Sequence, residues 1–106
     1  MNILVIAPHP DDEVLGCGGT IVKHASKGDN VYVCIVTKGC EPIFSSELVE
    51  KVRIECREAN ALLGVKETIF LDFPAAMMEE VLRYKLNDEF IKIVQELKPD
   101  IVYLPH

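Results

Sequence analysis

Four short runs of apolar, mostly β-branched or aromatic residues recur along the chain: NILVIA at 2–7, NVYVCIVT at 30–37, TIFLDF at 68–73 and DIVYLP at 100–105. A strand with one wet face alternates apolar and polar residues, whereas a strand covered on both faces is apolar nearly throughout. The runs therefore predict parallel strands of a sheet sandwiched between helices, and the segments between them have the matching helical period. The first, about 18–26, ends before Gly28. The second, 46–63, carries Leu48, Val52, Glu55, Ala59 and Leu62 or Leu63 at helical spacing and stops at Gly64. The third, about 87–97, sets Phe90, Ile91, Val94 and Leu97 on one face and stops before Lys98-Pro99. Glycine just past a helix and proline soon after it are stop signals with a backbone cause.

The resulting order, β-α-β-α-β-α-β, belongs to the α/β class: a Rossmann-like open parallel sheet with right-handed crossovers, helices on both faces and strand order 3-2-1-4. At 106 residues the chain makes a single domain, and its 49% hydrophobic content supports a core. Residues 40–45 and 74–84 lack clean periodicity and are expected to be loops. Ligands of such sheets bind outside the carboxyl ends of the strands, where strand order reverses, here between the first and fourth strands. Two segments are predicted to meet there: PHPDDE leaving the first strand and PH, ending in His106, leaving the fourth.

Composition narrows the partners. Eleven Lys plus Arg against 17 Asp plus Glu give a net charge of −6, the wrong sign for following a phosphate backbone, so no nucleic acid is expected. Cys17, Cys34, Cys40 and Cys56 show no C-x-x-C spacing and read as free thiols of a cytosolic protein. No apolar run approaches the roughly 18 residues of a membrane span, and no basic leader precedes the first strand, so a soluble, cytoplasmic chain is expected.

The chemistry concentrates in APHPDDEVLGCGGT, residues 7–20. Proline lacks an N–H and drives its predecessor away from helical angles, so Pro8 and Pro10 hold His9 on a stiff extension past the strand. Asp11 and Asp12 follow as the chain turns into a helix, where carboxylates are favoured by the dipole. An imidazole and a carboxylate three residues apart can converge on one divalent ion, and zinc accepts both donors in sites that keep a position for water. The other aspartate is then free to take a proton from that water, which suits attack on an amide or ester carbonyl. Gly16, Gly18 and Gly19 are read as serving the turn and a close approach of helix to sheet. A phosphate cradle is disfavoured, because the G-x-G-x-x-G order and the Walker lysine are missing and three acidic residues stand where an anion would sit.

These residues resemble the opening of the PIG-L/LmbE-like family of zinc-dependent N-acetylglucosaminyl deacetylases. APHPDDEVLGCGGTIVKHASKGDNVYVCIVTKG carries the resemblance, and ECREANALLGV, TIFLDFP and KPDIVYLPH continue it. The resemblance implies a Rossmann-like fold and hydrolysis of an acetamide on a small sugar or related amide substrate, with His9 and Asp12 as ligands of Zn2+ or another divalent metal and Asp11 as general base. It also implies a third ligand and a further histidine from a His-x-Asp-His-type segment beyond the fourth strand. Family members are about twice as long, so the chain resembles their amino-terminal half, 1–106 being part of a longer deacetylase domain with an incomplete site. The family's arginine falls three residues before Glu55, where this chain has Val52. Arg53, one position on, is the substrate-binding candidate.

Among other residues, His106 is expected near the site as a substrate-binding candidate. Cys40 and Glu41 are expected to line a loop, and Met77 and Met78 to cap the core. His24 is expected to face solvent or a helix neighbour, and Cys17 and Cys56 to pack as small residues. The alternative to the enzyme is a non-catalytic Rossmann-like binding module for a sugar or nucleotide. An open sheet edge allows a homo-oligomer.

Overall fold

In the computed structural model, residues 1–7, 12–38, 45–74 and 83–104 are described, with side chains for 1–7, 17–36, 45–71 and 88–104. The elements run β1 (Asn2–Ala7), α1 (Asp12–Ser26), β2 (Asn30–Lys38), α2 (Ser46–Leu62), β3 (Glu67–Pro74), α3 (Arg83–Leu97) and β4 (Ile101–Tyr103). The four strands pair in parallel in the order β3-β2-β1-β4, as expected. The first helix starts six residues before its predicted start, enclosing all three glycines, and the third starts four residues early. Helix propensity disfavours glycine, but helices packed on a sheet override that preference.

Register explains the near-continuous apolar runs. On one face Ile3, Val5 and Ala7 of β1 and Val31, Val33 and Ile35 of β2 form a core with Ile21 of α1 and Cys56 of α2. On the other, Leu4 and Cys34 meet Leu71 of β3 and Ile93 of α3, with Phe90 and Leu97 packed beside them. Helices α1 and α2 thus cover one face and α3 the other. Ile3, Leu4, Val5, Val33, Cys34 and Ile35 are all at most 1% exposed, since the central strands have no wet side.

Two helical faces differ from their predicted phase. In α3 the sheet-facing residues are Phe90, Ile93 and Leu97, while Ile91 and Val94 are 53% and 43% exposed. In α2 the buried residues are Val49, Cys56 and Asn60, and the markers Leu48 and Leu62 are 45% and 90% exposed. That face of α2 includes a polar residue: Asn60 Nδ2 donates to Thr68 Oγ1 at 3.1 Å, while its Oδ1 is buried without a hydrogen-bond partner among the described residues.

Both α1 and α2 close with the same pair of backbone bonds. Asp29 N–H donates to His24 O and Gly28 N–H to Ala25 O; Val65 N–H donates to Asn60 O and Gly64 N–H to Ala61 O. This is the Schellman arrangement, which needs a positive φ at its penultimate residue. Gly28 has φ +89 and Gly64 φ +95.

Candidate active site

The strand order places the reversal between β1 and β4, which pair through Ile3↔Ile101, Leu4↔Val102 and Val5↔Tyr103. β1 ends at Ala7, fully buried, and α1 begins at Asp12. The motif Pro8-His9-Pro10-Asp11 is therefore the connection from the carboxyl end of β1 into α1, and Asp12 is the first residue of that helix. His9 and Asp11, like the side chain of Asp12, lie outside the described residues, as does His106, two residues beyond Leu104. The strands before these segments, β1 and β4, pair in parallel with a spacing of about 4.8 Å, so both run towards the same end of the sheet. Cys40, Glu41, Met77 and Met78 also lie outside the described residues.

Arg53 is among the described residues. Half-buried on α2, it donates from Nη2 to the carbonyl of Leu71 at 2.8 Å, and its guanidinium lies 4.9 Å from the Phe70 ring centroid. Arg57 approaches the same ring at 4.9 Å. The fork is thus directed at the carboxyl-terminal half of β3, the edge strand two positions from β1, about 10 Å by strand spacing. Among the described residues no three of His, Cys, Asp and Glu gather closely enough to hold a metal ion.

His24 corrects its prediction. It is 8% exposed, with Nδ1 2.8 Å from Asp29 Oδ2 and Nε2 2.9 Å from the Tyr103 hydroxyl. Both ring nitrogens are partnered, so the imidazole tolerates burial. Asp29 also accepts from the Met1 amine at 3.1 Å. The hydrogen bond from His24, then the one from that amine, hold its carboxyl below the ordinary carboxylate range. Gly19 corrects another prediction: a Cβ there would meet nothing within 4 Å, so close approach to the sheet is not its role.

The thiols behave as packing groups. Cys17 and Cys34 are free thiols, and Cys56 Sγ accepts a hydrogen bond from Asn60 Nδ2 at 3.6 Å. Burial pushes the Cys34 thiol up to about 12 and raises that of Cys17. Neither is an activated nucleophile, which would need a lowered value.

The family model described as PIG-L, GlcNAc-PI de-N-acetylase, matches residues 4–106. The chain belongs to the PIG-L family. A diacetylchitobiose deacetylase of Thermococcus kodakarensis is 31% identical over 98% of this chain and 40% of its own length. Among solved structures, the N,N'-diacetylchitobiose deacetylase of Pyrococcus horikoshii superposes with a TM-score of 0.83 at 34% identity, over 95% of this chain and 39% of that one. The chain thus spans less than half the length of the curated PIG-L relatives it matches. At 19% identity, GalB of Pseudomonas putida, a 4-carboxy-2-hydroxymuconate hydratase, shares the fold with a TM-score of 0.75. The PIG-L fold therefore does not by itself dictate the reaction. Among the described residues no helix is long and apolar enough to cross a membrane.

Proposed function

We propose that the chain carries the metal-holding and water-activating corner of a PIG-L-type N-deacetylase, which hydrolyses the acetamide of an N-acetylglucosamine-containing or related substrate to acetate and a free amine. The observation that carries this reading is the position of Asp12 at the start of α1, at the carboxyl end of β1 and at the reversal of strand order. The deacetylases of Thermococcus and Pyrococcus support the substrate class.

His9 and Asp12 form a nitrogen and oxygen donor set that suits zinc or another divalent ion. Such an ion, when bound, supplies a water of lowered pKa and an electrophile for the carbonyl oxygen. Asp11 takes the proton of the attacking water, a role that needs hydrogen-bond reach and an ionised carboxylate. Arg53 and His106 are the residues proposed to contact the substrate. The 106 residues are read as the amino-terminal part of a longer domain, which supplies the remaining ligand.

The test has two parts. Metal titration of a full-length deacetylase domain containing this chain should lose stoichiometric binding in His9→Ala and in Asp12→Ala, while Asp11→Asn keeps it. In a deacetylase domain containing this chain, Asp11→Asn should lower acetate release by at least 100-fold, the scale of a lost general base. Undiminished turnover in Asp11→Asn would remove the base assignment. Bound sugar without acetate release from the wild type would favour the non-catalytic binding module.

A further inference from the structure

In the last turn of α1, His24 sits between two groups from different elements. Asp29, at the entry to β2, faces Nδ1 at 2.8 Å, and Tyr103, the last residue of β4, faces Nε2 at 2.9 Å. The rings of His24 and Tyr103 lie 5.7 Å apart at 52°. A carboxylate can only accept, so Nδ1 carries the proton and, in the neutral imidazole, Nε2 accepts from the Tyr103 hydroxyl. The Schellman turn through Gly28 folds Asp29 back onto His24.

The strand being held is the shortest of the described strands and lies at an edge of the sheet. β4 has three residues and one partner, β1, and Val102 in its middle is 43% exposed. Its entry is fastened by Asn2, whose N–H donates to Asp100 Oδ2 at 2.7 Å and whose carbonyl accepts from Asp100 N–H at 2.7 Å. Its last residue, Tyr103, is hydrogen-bonded through its hydroxyl to His24. Helix α1 carries His24 near one end and Asp12 at the other, about 18 Å apart at 1.5 Å per residue.

We infer that Asp29, His24 and Tyr103 form a positioning clasp that fastens β4 to α1 and so sets where β4 ends relative to the start of α1 at Asp12. The imidazole spans the two elements, and the carboxylate fixes its tautomer and orientation. The consequence for the site rests on the deacetylase reading; the clasp itself does not.

Amide hydrogen exchange on the 106-residue chain, without metal or substrate, tests it. In Tyr103→Phe the amides of the β1–β4 ladder should exchange roughly 2- to 10-fold faster, the effect of losing one neutral hydrogen bond, while those of the β2–β3 ladder change less than about 2-fold. Equal acceleration of both ladders would reduce the contact to general stability and overturn the clasp, as would no acceleration. Should the variant fail to fold, the imidazole 15N shifts of the wild-type chain decide: a proton on Nδ1 supports the clasp, and an unprotonated Nδ1 overturns it. Failure here would leave the deacetylase reading standing, and loss of that reading would leave the exchange result standing.

Discussion

Gly64→Ala should destabilise the chain more than any other glycine-to-alanine change for which the structure gives geometry. Two effects combine. Gly64 has φ +95, where an L residue is strained by about 1–3 kcal/mol. Its added Cβ would also stand 2.6 Å from the Cβ of Ala25, about 1 Å inside the usual carbon–carbon contact. Ala25 sits in the last turn of α1 and packs against the core, so the clash cannot be relieved by turning a side chain. Overpacking of this kind costs about 1–3 kcal/mol, and the total is about 2–6 kcal/mol. Gly28→Ala isolates the first effect: φ is +89 there, and an added Cβ meets nothing within 4 Å. Urea unfolding should place Gly28→Ala about 1–3 kcal/mol below the wild type and Gly64→Ala lower again, with unchanged m values. Ala25→Gly should rescue part of the Gly64→Ala loss, with a coupling of about 1–3 kcal/mol in the double-mutant cycle. Equal losses for the two glycines together with no coupling would refute the reasoning.

Gly19→Ala should stabilise the chain by about 0.5–1 kcal/mol in the same assay, because the helix there is open to a methyl group and alanine loses less backbone entropy; destabilisation would mean that Gly19 is needed for packing after all. Asp29 makes stability pH-dependent in a direction set by its lowered pKa. The unfolded chain binds the proton more readily, so this contribution is present above the unfolded value of about 3.9 and is lost as pH falls through the lower folded value. Unfolding midpoints should therefore fall more steeply below pH 4 in the wild type than in Asp29→Asn, and parallel curves would count against it. Cys34 should resist alkylation at pH 8 in the folded chain and react once urea unfolds it, since burial pushes its thiol to about 12; rapid labelling of the folded chain would show that the strand opens.

The site was legible to different depths. Pro8-His9-Pro10-Asp11-Asp12 announces itself because proline, imidazole and carboxylate have local consequences for backbone and charge. His24 did not, because its partners Asp29 and Tyr103 lie 5 and 79 positions away, and only the parallel pairing of β4 with β1 brings the second of them near. Arg53 was legible as a cation on α2, but its alignment with the Leu71 carbonyl and the Phe70 ring depends on how α2 lies over β3.

Strand positions, parallel class and order of elements follow from local hydrophobic pattern, because a doubly covered strand must be apolar throughout and a helix needs a stop. Which residues of a helix face the sheet does not follow from that pattern. Phe90, Ile91, Ile93, Val94 and Leu97 offer more apolar surface than one contact can bury, and packing selects Phe90, Ile93 and Leu97. In α2 it places the polar Asn60 at 0% exposure, where its amide nitrogen meets Thr68 of β3. The start of α1 at Asp12, through Gly16, Gly18 and Gly19, was likewise a tertiary decision: backbone entropy opposes it residue by residue, and burial of Ile21 and Cys17 against β1 and β2 outweighs that cost only once the sheet exists.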